Sequence, residues 1–399
     1  MPRPTSDRRA TERKHPWPMV RLGDVCEVVL GGTPKTGITE YWDGDIPWLT
    51  PGDMGKITQM YVDASNCKRK ISQLGLDNGS TLCPARSVIL STRAPIGYAF
   101  VNSVPMATNQ GCKTLVPSDD VYPEYLCFNL LGRTDELNEL GTGTTFKELA
   151  TGRLKAMALP LPPLSVQREI VARLERELAA VEKMKKGFEA LAETAKAEFK
   201  AQLKEVFEEI SRGGAETRRL GEVCERLSSG KNITAKRVSK IGEIPVYGAN
   251  GLRGYTEEPN FEGECCVIGR QGALCGNVKY FKGMAYMSDH AVVAVFKPCC
   301  TARFMLYQLD VMNLGQLSTQ AAQPGLSVKV LSEQDVFVPP LADQREVVSR
   351  LDSAKARAEK LELKAREGVA VCETMRKAIL KEAFDDGRAS PAIGKVAGR

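Results

Sequence analysis

Histidine is nearly absent from this chain: 399 residues include 2, and 6% of positions are aromatic. A histidine-based triad has little to draw on. His290, in Ser288-Asp289-His290, has sequence neighbours whose side chains diverge along a strand, so it reads as structural. Nowhere do about 18 apolar residues run together, as a membrane span requires, and the first residues lack the apolar centre of a signal peptide. The expected location is therefore the cytoplasm. The 12 cysteines show no CxxC spacing, and the Cys265-Cys266 and Cys299-Cys300 pairs suit neither zinc nor a disulfide framework. They are expected to be small buried apolar residues in a reducing compartment.

Catalytic loops are also missing. Gly141-Thr142-Gly143-Thr144-Thr145 starts like a dinucleotide loop but lacks the third glycine, and Ser229-Gly230-Lys231 ends like a phosphate loop without its first. Both read as turns. The proline pairs in Leu161-Pro162-Pro163-Leu164 and Val338-Pro339-Pro340-Leu341 lack the polar residue and the aromatic of an amino-methyltransferase loop, and read as rigid exits from a domain into a helix. What is present is the composition of a folded protein of several domains, 43% hydrophobic and 26% charged. With 55 Lys and Arg against 49 Asp and Glu, the formal charge of +6 permits a polyanionic partner without requiring one.

The chain repeats itself. Arg21-Leu22-Gly23-Asp24-Val25-Cys26-Glu27 recurs as Arg219-Leu220-Gly221-Glu222-Val223-Cys224-Glu225, and Asp45-Ile46-Pro47 as Glu243-Ile244-Pro245, both at an offset of 198. Pro162-Pro163-Leu164 with Gln167-Arg168-Glu169 recurs as Pro339-Pro340-Leu341 with Gln344-Arg345-Glu346, now at 177. Arg93 already aligns with Arg270 at 177, so the first copy carries 21 extra residues between Pro47 and Arg93. Each copy has a similar frame around a dissimilar insert.

After each proline pair the composition becomes that of a helix, with Ser165 and Asp343 as N-terminal signals. Apolar residues recur at three, four or seven: Ile170, Leu174, Val181, Phe188, Leu191, Ala195, Phe199, Leu203 and Phe207 in the first, and Val347, Leu351, Ala354, Ala358, Leu361, Ala365, Cys372, Met375, Ile379 and Phe384 in the second. This predicts two long helices pairing as an antiparallel coiled coil. The expected fold is mixed α/β, with two similar globular domains at 17–163 and 213–340, helices at 164–212 and 341–384, and a pseudo-two-fold relation between the halves. Expected strands include Ser87–Leu90, Gly97–Val101, Cys265–Gly269, Val278–Phe281 and Ala291–Phe296, and 1–16 and 385–399 are expected to be disordered.

The inserts carry basic and amide side chains in Gly-rich surroundings: Asn66-Cys67-Lys68-Arg69-Lys70 in the first copy, and Lys231, Lys236, Arg237, Lys240 and Arg253 around Tyr247-Gly248-Ala249-Asn250-Gly251 in the second. Such groups sit on phosphates and read base edges. The whole arrangement resembles the specificity subunit of Type I restriction-modification systems over 18–385. The resemblance rests on Gly44-Asp45-Ile46-Pro47-Trp48-Leu49-Thr50-Pro51-Gly52-Asp53-Met54, Arg93-Ala94-Pro95-Ile96-Gly97, Thr108-Asn109-Gln110-Gly111-Cys112-Lys113 and the two Pro-Pro-Leu exits. Trp48 and Asp53 have no clear equivalents in the second half, which suggests unlike half-sites.

The resemblance implies a non-catalytic chain with two target recognition domains, each reading one DNA half-site, and a helical pair that fixes the spacer. It implies two adenine methyltransferase subunits using S-adenosylmethionine and translocating endonuclease subunits using ATP and Mg as partners, with no catalytic residue, cofactor or metal in this chain. Candidate DNA contacts are Thr50, Lys68, Arg69, Lys70, Arg93 and Lys147 in the first domain, and Lys231, Asn232, Asn250, Arg253, Arg270 and Gln271 in the second. The competing reading is a non-DNA scaffold whose duplicated domains bind proteins. Inserts that are aligned but unlike favour DNA.

Overall fold

The computed structural model describes residues 17–385 except 94, 144–146, 249–250, 273 and 319–324. The expected disordered segments lie outside the described residues, save Asp385, which closes the second long helix; candidate Asn250 lies outside them too. The chain divides into two units, Met1–Lys186 with Val369–Arg399 and Gly187–Gly368. The division falls inside both long helices because each part of a helix shares a core with the domain it touches.

In the first unit Cys26–Leu30, Cys112–Pro117, Val88–Ser91 and Ala99–Asn102 pair antiparallel in that order, and Tyr61–Val62 adds in parallel at the edge. Val88–Ser91 and Ala99–Asn102 are buried at every position, the pattern of strands covered on both faces. Helix Pro123–Gly132, with Pro123 at its first position, packs on them. A separate three-stranded sheet holds Arg69–Ile71, Trp42–Leu49 and Ala107–Thr108.

In the second unit a single six-stranded sheet runs in the order Cys224–Ser229, Ala291–Phe296, Phe261–Gly269, Val278–Met287, Ile244–Gly248, Gly251–Thr256. Two of its strands exceed the expectation: Phe261–Gly269 begins four residues early and Val278–Met287 ends six residues late. The reason is Gly263 opposite Gly283, at φ 133° and 130°, a conformation that glycine tolerates; what reads as a turn signal in sequence continues the ladder here.

The registers reveal one plan in both units. Trp48 lies parallel to Ala107 and antiparallel to Arg69, as Val246 lies parallel to Tyr286 and antiparallel to Gly254. The strand carrying Arg69 is thus the counterpart of the one carrying Arg253. Trp48 to Arg69 is 21 residues and Val246 to Gly254 is 8, so 13 of the extra residues lie between these paired strands. They form helix Pro51–Met54, strand Tyr61–Val62 and the turn Ala64–Asn66. The other 8 lie between Arg69 and Val88, against Gly254 and Cys265, where helix Gln73–Asp77 forms.

The long helices run Leu164–Arg212 and Leu341–Asp385, 49 and 45 residues, about 70 Å each at 1.5 Å per residue. In the first unit Ile170, Val171, Leu174 and Leu178 share a core with Leu380, Ala383 and Phe384, and Lys185 Nζ lies 3.2 Å from Glu373. In the second, Leu203, Val206 and Phe207 share a core with Leu351, and Arg350 lies 2.9 Å from Glu209. Early residues of one helix meet late residues of the other in each unit, so the pairing is antiparallel. Two expected seam positions face outward: Leu191 is 37% and Met375 40% exposed. A straight helix drifts about 20° per heptad against a seven-residue repeat, so a fixed stripe leaves the seam.

A buried glutamine anchors the start of each long helix. Gln167 accepts from the Tyr122 amide and donates to the Asp120 and Pro162 carbonyls, all at 2.8 Å. Gln344 accepts from the Thr301 amide and donates to the Cys299 and Pro339 carbonyls, again at 2.8 Å. Both side chains are fully buried, and each ties a helix to the loop before helix Pro123–Gly132 or its counterpart Ala302–Val311.

Candidate nucleic-acid interface

Four segments converge in the first unit. The loop after Cys26–Leu30 reaches the turn at Asn109–Gly111, with the Gly32 amide donating to the Thr108 carbonyl at 2.8 Å. Only glycines fit there: a Cβ on Gly31 would lie 1.9 Å from the Asn109 oxygen, and one on Gly32 2.1 Å from the Gly79 oxygen. The same turn holds the end of Trp42–Leu49, where the Asn109 amide donates to the Leu49 carbonyl at 3.1 Å, and it holds Arg93, whose amide donates to the Gly111 carbonyl at 3.3 Å. The hairpin Trp42–Leu49 with Arg69–Ile71 completes the cluster.

The second unit repeats this junction. Lys231 N–H donates to the Met287 carbonyl at 2.9 Å, Ser288 N–H to the Tyr247 carbonyl at 2.8 Å, and Arg270 N–H to the His290 carbonyl at 2.9 Å. Ser288-Asp289-His290 is therefore the counterpart of Asn109-Gln110-Gly111, and Lys231 and Asn232 occupy the place of the Gly32-Thr33 loop. In each unit, loop, hairpin, turn and arginine form one surface from segments up to about 80 residues apart in sequence.

The candidate residues fall into different environments on this surface. Lys68, Arg69 and Lys70 are exposed, Lys68 just before and the others on the edge strand of the three-stranded sheet. The Arg69 guanidinium lies 3.4 Å from the centre of the Trp42 ring. Trp42 meets Trp48 edge-on at 5.2 Å, and the indole N–H groups donate to the Lys35 carbonyl at 3.3 Å and the Gly32 carbonyl at 3.0 Å, which pins the Gly-rich loop to the hairpin. Trp42 and this loop escaped the sequence analysis, although two tryptophans of three in the chain spaced six apart on one strand share a face and were a usable signal.

Thr50 is committed to its own backbone. It caps helix Pro51–Met54, with its hydroxyl 2.7 Å from Asp53 Oδ2, while Asp53 accepts the Thr50 amide at 3.1 Å. Arg93 is committed as well: its guanidinium lies 2.9 Å from Glu148, which also faces the buried Lys113 ammonium at 3.8 Å. Burial pushes Lys113 below the ordinary lysine value, while Glu148 acts in the opposite sense; the ammonium donates to the Leu149 carbonyl at 2.8 Å and to the Thr92 hydroxyl at 3.2 Å. Lys147 is exposed beside Glu148. Arg270 has no carboxylate among the described residues and donates to the Ser229 hydroxyl at 3.2 Å. Gln271 meets His290 Nδ1 at 2.7 Å, and Lys231, Asn232 and Arg253 are exposed.

Every cysteine is a free thiol, nine of the 12 are buried, and burial raises most of their pKa values, to about 12 for Cys26 and Cys224. No group of three or more His, Cys, Asp or Glu among the described residues is placed to hold a metal ion, and no described helix is long and apolar enough to cross a membrane.

The Type I restriction modification DNA specificity domain matches residues 14–188 and 213–366, one match for each copy of the repeat. The chain belongs to this family. Two curated relatives are specificity subunits of type I restriction enzymes. The chain is 32% identical over 353 residues to the Type I restriction enzyme EcoprrI specificity subunit of Escherichia coli, covering 83% of this chain and 86% of that one. It is also 32% identical over 239 residues to the MjaIX specificity subunit of Methanocaldococcus jannaschii, covering 56% and 54%. Among solved structures, a chain of a type I R-M system studied for complex assembly and conformational transition shares the fold with a TM-score of 0.74 at 19% identity, over 94% of this chain and 99% of that one. The HsdS subunit from Thermoanaerobacter tengcongensis gives 0.54, also at 19% identity, over 93% and 97%.

Proposed function

We propose that this specificity chain is the DNA-reading, non-catalytic subunit of a Type I restriction-modification complex, with each globular domain reading one half of a bipartite, asymmetric target. The observation that carries this reading is the shared junction: loop, hairpin, turn and arginine recur in both units at matched registers, while the side chains displayed on them differ. A duplicated frame that displays different exposed basic groups in its two copies is suited to reading two unlike sequences on one polymer. The sequence-independent share of binding falls to phosphate contacts from Lys68, Lys70, Lys231 and Arg270, and the sequence-dependent share to the hairpins. The paired helices fix the number of base pairs between the half-sites, so the spacer is constant in length and free in sequence.

The same reading assigns the chemistry to partners. Two methyltransferase subunits supply S-adenosylmethionine-dependent adenine methylation on a flipped base, and endonuclease subunits supply ATP- and Mg-dependent translocation and cleavage. The test is an exchange, in the full complex, of residues 42–71 for the corresponding segment of a homologous chain. The first half of the methylated motif should change while the second half and the spacer stay constant. An unaltered motif with undiminished methylation would favour a protein-binding scaffold instead.

A further inference from the structure

We propose that Arg69 is a base-reading residue that selects a guanine in the first half-site, with Trp42 as the platform that fixes its guanidinium; this deepens, and rests on, the assignment of the chain as a DNA-reading subunit. Arg69 stands at a register where the two units differ sharply, since its counterpart opposite Val246 is Gly254, which has no side chain at all. Among the described residues, Arg69 has no ion pair. Other arginines of the chain are claimed by acids: Arg93 by Glu148, Arg86 by Glu124 and Arg303 by Asp352.

The geometry selects the kind of ligand. Stacking at 3.4 Å uses one face of the guanidinium and leaves its N–H edges available. The platform is itself rigid, because Trp42 is buried, braced edge-on by Trp48 and tied through its N–H to the Lys35 carbonyl. A planar fork held in one orientation matches the O6 and N7 acceptors of guanine in the major groove, and pre-setting it removes ordering cost on binding. A phosphate also accepts the fork in two parallel bonds, so it is the place of Arg69 at a register that differs between the two units that points to a base. Lys68, just before the strand, and Lys70, which alternates to its other face, supply charge without a fork. In the second unit the hairpin presents Arg253 and Tyr255 on either side of Gly254, so the guanine-selecting position belongs to the first half-site alone.

The test uses the full chain assembled with its partner methyltransferase, acting on a library of duplex DNA of randomised sequence, with methylated bases mapped for the wild type, Arg69→Lys and Arg69→Ala. Lysine keeps the charge and can still sit over the indole but lacks the fork. The expected result is a wild-type motif with a guanine in its first half, for which both variants lose at least tenfold in preference, with the second half unchanged. A motif that both variants preserve, a first half-site without guanine, or an equal loss on all sequences would overturn the role of Arg69. A wild-type complex that methylates no bipartite motif would instead overturn the reading on which it rests.

Discussion

The two recognition domains place an arginine at the same turn and use it differently. Arg93 is paired with Glu148 and closes a loop of its own domain; Arg270 faces a hydroxyl and has no carboxylate partner among the described residues. The second residue of the helix that covers each sheet shows the same freedom. It is Glu124 in the first domain, bound by Tyr61 at 2.8 Å and by both nitrogens of Arg86, and Arg303 in the second, bound to Asp352 of the long helix. The buried glutamines, by contrast, make the same three hydrogen bonds in both. Main-chain geometry is shared at the glutamine anchors and at the junction of loop, hairpin and turn, while the side chains around them have diverged.

The comparison can be broken most forcefully at what is shared. Gln167→Leu and Gln344→Leu each strand an amide and two carbonyls in a buried place, and each should cost about 3 kcal/mol or more in denaturant unfolding. A small loss in one with a large loss in the other would show that the anchors are not equivalent. Next comes the divergent hairpin. Replacing Lys68, Arg69 and Lys70 together with alanine should weaken binding to target duplex by at least about tenfold and flatten the log–log salt dependence by up to about 3; unchanged affinity and motif would remove this strand from the interface.

Smaller effects should separate the two frame arginines. Arg270→Ala is expected to weaken DNA binding several-fold and reduce the salt slope by about 1, whereas Arg93→Ala should leave binding nearly unchanged and lower unfolding stability by roughly 0.5 to 1 kcal/mol. Equal losses of binding would erase the distinction. The smallest effect concerns Asp352. Burial raises its pKa, but hydrogen bonds from Arg303 and Tyr307 outweigh this and hold it below the usual carboxylate range. A folded-state value below the unfolded one contributes stability above the unfolded pKa, and this is lost as pH falls through the folded value. Arg303→Met should therefore cost about 1 kcal/mol or less at neutral pH, and the gap from wild type should close in strong acid; a gap constant with pH would assign it to packing.

Much of this was legible because repetition is a linear signal. The offset between Pro47 and Pro245 correctly paired two strands that share their parallel and antiparallel neighbours, and Val88–Ser91 and Ala291–Phe296 are apolar runs bounded by turn residues. Gly263 and Gly283 misled because a glycine is read as a break unless its cross-strand partner is known. The capping role of Thr50 went unread although Thr50-Pro51-Gly52-Asp53 carries the spacing of a capping box. Gln167, Arg93 and Arg69 could be found but not understood. Their partners Tyr122, Glu148 and Trp42 lie 45, 55 and 27 residues away, and no local pattern encodes such a meeting.

The central claim, that this chain supplies sequence specificity to a methyltransferase, is tested most directly by mapping methylated adenines in cellular DNA with and without this gene, the partner methyltransferase being present and active in both. The account predicts that one bipartite, asymmetric motif, methylated on both strands and with a spacer of constant length, disappears when the gene is removed. An unchanged set of methylated motifs would contradict it.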